Sequence, residues 1–220
     1  MPSNEDKIRE KKDTFIQKLK EDGLVNPQGF ALVGFGALFL AAVPLTTWIA
    51  QPASLLEKAV TAVTRSIAFL SSAGSTSTLP PTGRIAALST LYITLTYALS
   101  GAASAAASEA GTEGGRDNAH PRAQVGELRG LPLRMHSAHY NLLEMFGGYG
   151  LVAALAQAMA PGDGVLVNLL GLHVICKCFV YYPAYVMNFG VARTVAHVLA
   201  TASVINVGLR LARRGTGIVL

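Results

Sequence analysis

The stretch Phe30-Ala-Leu-Val-Gly-Phe-Gly-Ala-Leu-Phe-Leu-Ala-Ala-Val-Pro-Leu-Thr-Thr-Trp-Ile-Ala50 is free of charge from end to end. A helix needs about 20 predominantly apolar residues to cross the hydrocarbon core of a bilayer, so this run is long enough to span. Trp48 near its end suits the membrane–water interface. Pro44 removes one helical hydrogen bond and is expected to kink the span without abolishing it.

Four more apolar runs follow. Residues 85–107 carry no charge, and Ser100, Ser104 and Ser108 recur there at every fourth position beside Gly101 and Ala105. Small residues at that spacing let helices approach closely in lipid. Residues 131–160 form the third run, closed by Pro161-Gly162-Asp163-Gly164. The runs at 165–187 and 191–212 are separated only by Asn188-Phe189-Gly190. Connections this short force antiparallel neighbours. The runs show no internal repeat or pair of broken helices of the kind that transporters use.

Composition agrees with five spans. Of 220 residues, 51% are hydrophobic and 14% charged, whereas a soluble domain carries about a quarter charged residues. The net charge of +5 comes from Lys and Arg scattered between apolar runs, not gathered on one basic face, which argues against nucleic acid as a partner. Cys176 and Cys178 lie too close to staple a loop and are too few for a zinc site, so buried free thiols are expected. No metal site is expected from His136, His139, His173 and His197, which are spread over three helices.

Between the spans the chain is polar. Residues 1–29 hold six Lys/Arg and six Asp/Glu. Ile8, Phe15 and Leu19 fall on one side of a 3.6-residue helix, so a short amphipathic surface helix is expected, not a signal peptide. Residues 51–84 read as a linker around a weak amphipathic piece, ending in the Ser/Thr/Gly/Pro cluster of residues 71–81, a loop. Residues 213–220 form a tail. Arg116, Arg122 and Arg129 mark the 108–130 loop as cytoplasmic, together with the N-terminus. Arg210, Arg213 and Arg214 then fall on the other side and count against that orientation.

Ionisable side chains inside a span are costly and usually face a cavity or a partner helix. In Leu133-Arg134-Met135-His136-Ser137-Ala138-His139-Tyr140-Asn141-Leu142-Leu143-Glu144, a rotation of about 100° per residue puts Arg134, Ser137, Asn141 and Glu144 on one stripe. A cation, an amide and a carboxylate on one face complement a small zwitterion. His173, Lys177, Tyr181 and Tyr185 follow at four-residue steps in the next run. Arg193, just past the tight turn, returns to the same side as Arg134 and Tyr185.

Ala138-His139-Tyr140-Asn141-Leu142-Leu143-Glu144 resembles the Ala-His-x-Asn-x-Leu-Glu signature of the MAPEG superfamily, the membrane-associated proteins of eicosanoid and glutathione metabolism. Tyr181-Tyr182-Pro183-Ala184-Tyr185, followed by Ala192-Arg193-Thr194, resembles its second block. The resemblance covers about residues 85–212. It implies an all-α membrane protein, an antiparallel four-helix transmembrane bundle to which residues 30–50 add an extra N-terminal membrane helix. It also implies a homotrimer that binds glutathione as co-substrate between subunits, near the cytosolic side. By the same resemblance, Arg134, Asn141, Glu144, Tyr181 and the signature's His139 match glutathione-binding positions, and Arg193 and Tyr185 match catalytic ones. A fixed guanidinium would stabilise the thiolate, which is the nucleophile.

Two positions depart from the pattern: Ser137 stands where glutathione users commonly carry arginine, and the basic residue before the tyrosine block is displaced to Lys177. The implied activity is that of a glutathione transferase-like enzyme conjugating, isomerising or reducing a lipophilic electrophile from the bilayer, in the endoplasmic reticulum if the source is eukaryotic. The alternative is a non-catalytic lipid-binding or scaffolding member, which Ser137 favours and Arg193 opposes.

Overall fold

The computed structural model describes residues 4–24, 26–71 and 79–215. The chain divides into two units, Met1–Leu38 and Phe39–Leu220. In the first, α1 (Asn4–Glu21) is the charged helix expected at the N-terminus. Its Ile16 and Leu19 are half-buried, while Ile8 and Phe15 remain exposed. A 3-10 segment, Pro27–Gly34, leads on to α2 (Phe35–Ala41).

The helix restarts at α3 (Val43–Ile49), with Pro44 in its first turn, where a missing N–H costs nothing. Pro44 thus divides the first apolar run into two helical segments. After α4 (Leu55–Ser71) come α5 (Arg84–Ile93) and α6 (Ser100–Gly111), joined by a π-helical turn at Thr94–Leu99. The last three runs form α7 (Gly130–Met159), α8 (Gly164–Ile175) continued through a second π-helical turn, Cys176–Tyr181, into α9 (Tyr182–Val186), and α10 (Gly190–Gly215).

Among the described residues, five helical stretches are long and apolar enough to cross a membrane: Leu32–Ile49, Pro81–Gly111, Gly130–Met159, Gly164–Val186 and Gly190–Arg214. The chain is an all-α membrane protein, and its last four spans form the bundle. The connection after α9 is as tight as its sequence suggests. Asn188 takes a positive φ of 64°, which Asn tolerates better than most residues, and Phe189 N–H returns to Ala184 O at 2.7 Å.

α8 sits at the centre of the bundle. Every residue from Leu166 to Val174 is buried, so α8 is covered on all its sides, with α4, α5, α7 and α10 packed around it. Asp163 caps its start, accepting from Leu166 N–H at 3.0 Å, and pairs with Arg214 at the end of α10. Arg210 donates to Asn206 Oδ1 at 3.1 Å. Asn206 in turn donates to the hydroxyls of Thr46 and Thr47 at 3.0 and 2.8 Å, fastening α3 to α10. Arg210 and Arg214, which weigh against the orientation, therefore have partners within the protein.

The stretch read as linker contains a helix of 17 residues, α4, packed on α5 and α8. It comes close to α8 because Gly171 has no side chain: a Cβ there would lie 2.3 Å from Val60 Cγ2. The loop expected over residues 71–81 lies mostly outside the described residues.

Candidate functional site

The N-terminal half of α7 turns two polar faces in different directions. One meets α6, where the serine ladder does more than permit close packing: Ser100 and Ser104 hydrogen-bond His139 Nδ1 and His136 Nδ1 at 2.9 and 3.1 Å. The helices pack tightly enough that a Cβ on Gly111 would lie 2.6 Å from Pro132 Cβ.

The other face opens on a cavity of about 570 Å³, where Ser137, Asn141 and Glu144 stand opposite Tyr181 and Tyr185. Its rim is completed by Arg122 and Val125, from the loop between α6 and α7. Loop hydrogen bonds shape that rim. Asp117 N–H donates to Gln124 Oε1 at 2.9 Å, Arg116 N–H donates to Glu109 Oε2 at 2.9 Å, and Asp117 Oδ1 accepts from Ala119 N–H at 2.7 Å. The Ala119 amide, with help from His120, holds the Asp117 carboxyl below the usual aspartate range.

Behind the cavity lies Lys177, wholly buried. Its ammonium donates to Asn141 Oδ1 at 2.9 Å, lies 2.9 Å from His197 Nδ1, and sits 4.0 Å from the centre of the Tyr181 ring. With its oxygen engaged by Lys177, Asn141 has its NH₂ group left to offer a ligand, and so donates hydrogen bonds. Tyr181 and Tyr185 meet edge to face at 5.6 Å, and the Arg193 guanidinium lies 4.6 Å from the Tyr185 ring centre.

The residues singled out from sequence are thus partly gathered. Asn141, Glu144, Tyr181 and Tyr185 line one cavity, and Arg193 is held against one of its walls. Arg134 lies off the lining: its Nε donates to Val186 O at 2.9 Å, closing the end of α9 and steadying the segment that carries Tyr185. His139 faces α6, and the structure does not bring it to the cavity.

Sequence reasoning missed the grip of Lys177 on Asn141, although the four-residue step from Lys177 to Tyr181 already put them on one face. Arg122 gave no signal, because a loop residue has no periodicity to place it. His136 lines the cavity while bonded to Ser104. Among the described residues no cluster of His, Cys, Asp or Glu is arranged to hold a metal ion. Both thiols are free and buried.

A carboxylate, an amide donor, two phenols and a nearby guanidinium around one half-open cavity suit a small ligand with both ammonium and carboxylate groups. The chain matches the MAPEG family over residues 85–213. No curated protein and no solved structure matches it.

Proposed function

From the chain's membership of the MAPEG family, to which it belongs through residues 85–213, we propose that it is a glutathione transferase-like membrane enzyme acting on a lipophilic electrophile. The convergence of Asn141, Glu144, Tyr181 and Tyr185 on one cavity, with Arg193 stacked on Tyr185, carries this reading. The volume of about 570 Å³ is within the usual range for small-molecule sites.

In this reading Glu144 takes the ammonium of glutathione, and Asn141 donates to a carbonyl or carboxylate. Arg122 supplies, from the loop, a cation that Ser137 does not. Arg193 stands by the thiol, whose proton leaves to solvent as the thiolate forms, because a fixed positive charge favours the ionised sulfur. In conjugation the thiolate then attacks the electrophilic carbon. A thioether bond forms, and the displaced group, or the new carbanion once protonated, completes the balance. Tyr185 donates a hydrogen bond to the developing charge.

Assembly as a homotrimer would cover the surface that α7 and the Pro81–Gly111 span leave largely exposed, in contrast to the mostly buried span Gly164–Val186. It would also close the cavity on the side where Glu144 is exposed. In a eukaryotic cell the membrane would be that of the endoplasmic reticulum.

Ser137 on the cavity wall favours a second reading, a lipid-binding or scaffolding role without catalysis. Calorimetric titration of the detergent-purified chain with glutathione, followed by assay with a panel of lipophilic electrophiles, separates the two. Saturable binding with conjugate formation is expected. Absence of both overturns the enzyme reading in favour of the scaffold.

A further inference from the structure

A second, smaller cavity lies at the other end of the spans. Gln157, near the end of α7, donates to Thr82 O at 3.1 Å, so the start of α5 sits beside the end of α7 remote from the candidate site. There a space of about 260 Å³ is lined by Thr61, Thr64 and Arg65 of α4, together with Leu79 and Arg84.

Two guanidinium groups from separate helices line this one small space, and its lining holds no carboxylate. Among the described residues the ion pairs are Asp117 with His120 and Asp163 with Arg214, so no described carboxylate pairs with Arg65 or Arg84. Two cations that share one small space repel each other, and an anion bound between them relieves that repulsion. Thr64 spends its hydroxyl on its own helix, at 2.9 Å to Val60 O and 3.1 Å to Thr61 O. The half-buried Thr61 hydroxyl is not spent in this way. α5 begins here with no side-chain cap at Gly83, so the positive end of its dipole adds to the two cations.

We propose that Arg65, Arg84 and Thr61 form a binding site for a phosphate group at the membrane surface, separate from the glutathione cavity and independent of the function proposed above. Guanidinium forks match phosphate oxygens in pairs. The position suits a lipid phosphate, since Arg84 opens a span at the level where hydrocarbon gives way to headgroups. α4 exposes the apolar side chains of Leu55 and Leu70, as a helix lying among lipids does. A free phosphate would be read by the same groups.

The experiment uses the full chain in neutral detergent, with native mass spectrometry as readout. The probes are dioctanoyl phosphatidic acid, inorganic phosphate, and dioctanoylglycerol as the lipid without its phosphate. Phosphatidic acid is expected to bind saturably and dioctanoylglycerol not. Arg65→Gln and Arg84→Gln should each weaken binding about tenfold, the scale of one charged hydrogen-bonded contact, with Arg65→Lys intermediate. Competition by inorganic phosphate, lost in the same variants, supports the site and assigns it to a soluble anion. Failure of inorganic phosphate to compete supports a lipid ligand. Equal binding of phosphatidic acid to wild type and to the double variant overturns the proposal, as does equal binding of dioctanoylglycerol or no binding of either phosphate. Should Arg84→Gln fail to fold by circular dichroism, the exposed Arg65 and its two variants decide the matter alone.

Discussion

Lys177 Nζ lies 2.9 Å from Asn141 Oδ1 and 2.9 Å from His197 Nδ1, a buried ammonium that joins three of the bundle's helical segments. The same contact that satisfies the lysine fixes which end of the Asn141 amide faces the cavity, so a structural bond in the core sets the chemistry of the wall.

That linkage is expected to be strongly non-additive. Asn141→Leu leaves a buried ammonium short of an acceptor and should cost about 2–3 kcal/mol. Lys177→Met removes the charge but leaves Asn141 and His197 without their donor, at a cost of about 1–3 kcal/mol. The double variant should be markedly more stable than the sum of the two. Equilibrium unfolding in mixed micelles reads all three, and strict additivity would show that the two side chains are not coupled.

Arg193→Ala should leave the fold intact and lower turnover by about 10²–10³-fold, the usual loss when a group that stabilises transition-state charge is removed. Arg193→Lys should recover part of it, because a point charge remains but the planar fork that stacks on Tyr185 does not. Glu144→Ala should instead raise the glutathione KM with a smaller change in kcat. Steady-state kinetics over a range of glutathione concentrations distinguish these patterns.

Gly171→Ala should destabilise the bundle by about 1–3 kcal/mol, because the new methyl overlaps Val60 and α4 must move away. Val60→Ala in the same chain should restore most of the loss. Thermal unfolding of the single and double variants tests this, and an unaffected Gly171→Ala would mean that α4 is not seated there.

Single cysteines at Asn118, in the exposed loop before α7, and at Gln51, in the exposed turn after α3, should react with impermeant thiol reagents from opposite sides of the membrane. The native Cys176 and Cys178 are buried and give little background. Reaction of both from one side refutes five spans.

Protonation of Asp117 should loosen the rim of the cavity only at low pH. Its carboxyl is held below the ordinary value of 3.8 in the folded loop, so the stabilisation is present above that value and is lost as pH falls through the lower, folded one. Hydrogen exchange at the Ala119 amide should remain slow down to that range and quicken below it. Quickening that begins near neutrality would contradict it.

The spans were legible because lipid imposes a simple demand on sequence: long, predominantly apolar runs, which residues 30–50 and their four successors supply, the first two without any charge. The polar stripe of α7 was legible for the same reason, since Asn141 and Glu144 stand out against an apolar background. Arg134 misled because periodicity gives the face of a helix but not the reach of a long side chain, which here goes to Val186 O. α4 was underestimated because a helix that packs over part of the bundle has no need to be uniformly apolar. Arg122 was invisible because the conformation of its loop depends on non-periodic partners such as Gln124 and Asp117.

The π-helical turn at Cys176–Tyr181 sets the angular phase between two halves of one span. It ends two residues before Pro183, which in a regular α-helix would crowd the carbonyl four residues back. The turn carries one residue more than an α-helical path would, and a residue is worth about 100° of rotation. Deleting it would turn His173 and the core-facing leucines of α8 out of step with Tyr181 and Tyr185. The interior packing and the cavity wall are thus geared together through a single extra residue, and variation in the length of the segment ahead of Tyr181 would alter the site without replacing any residue that lines it.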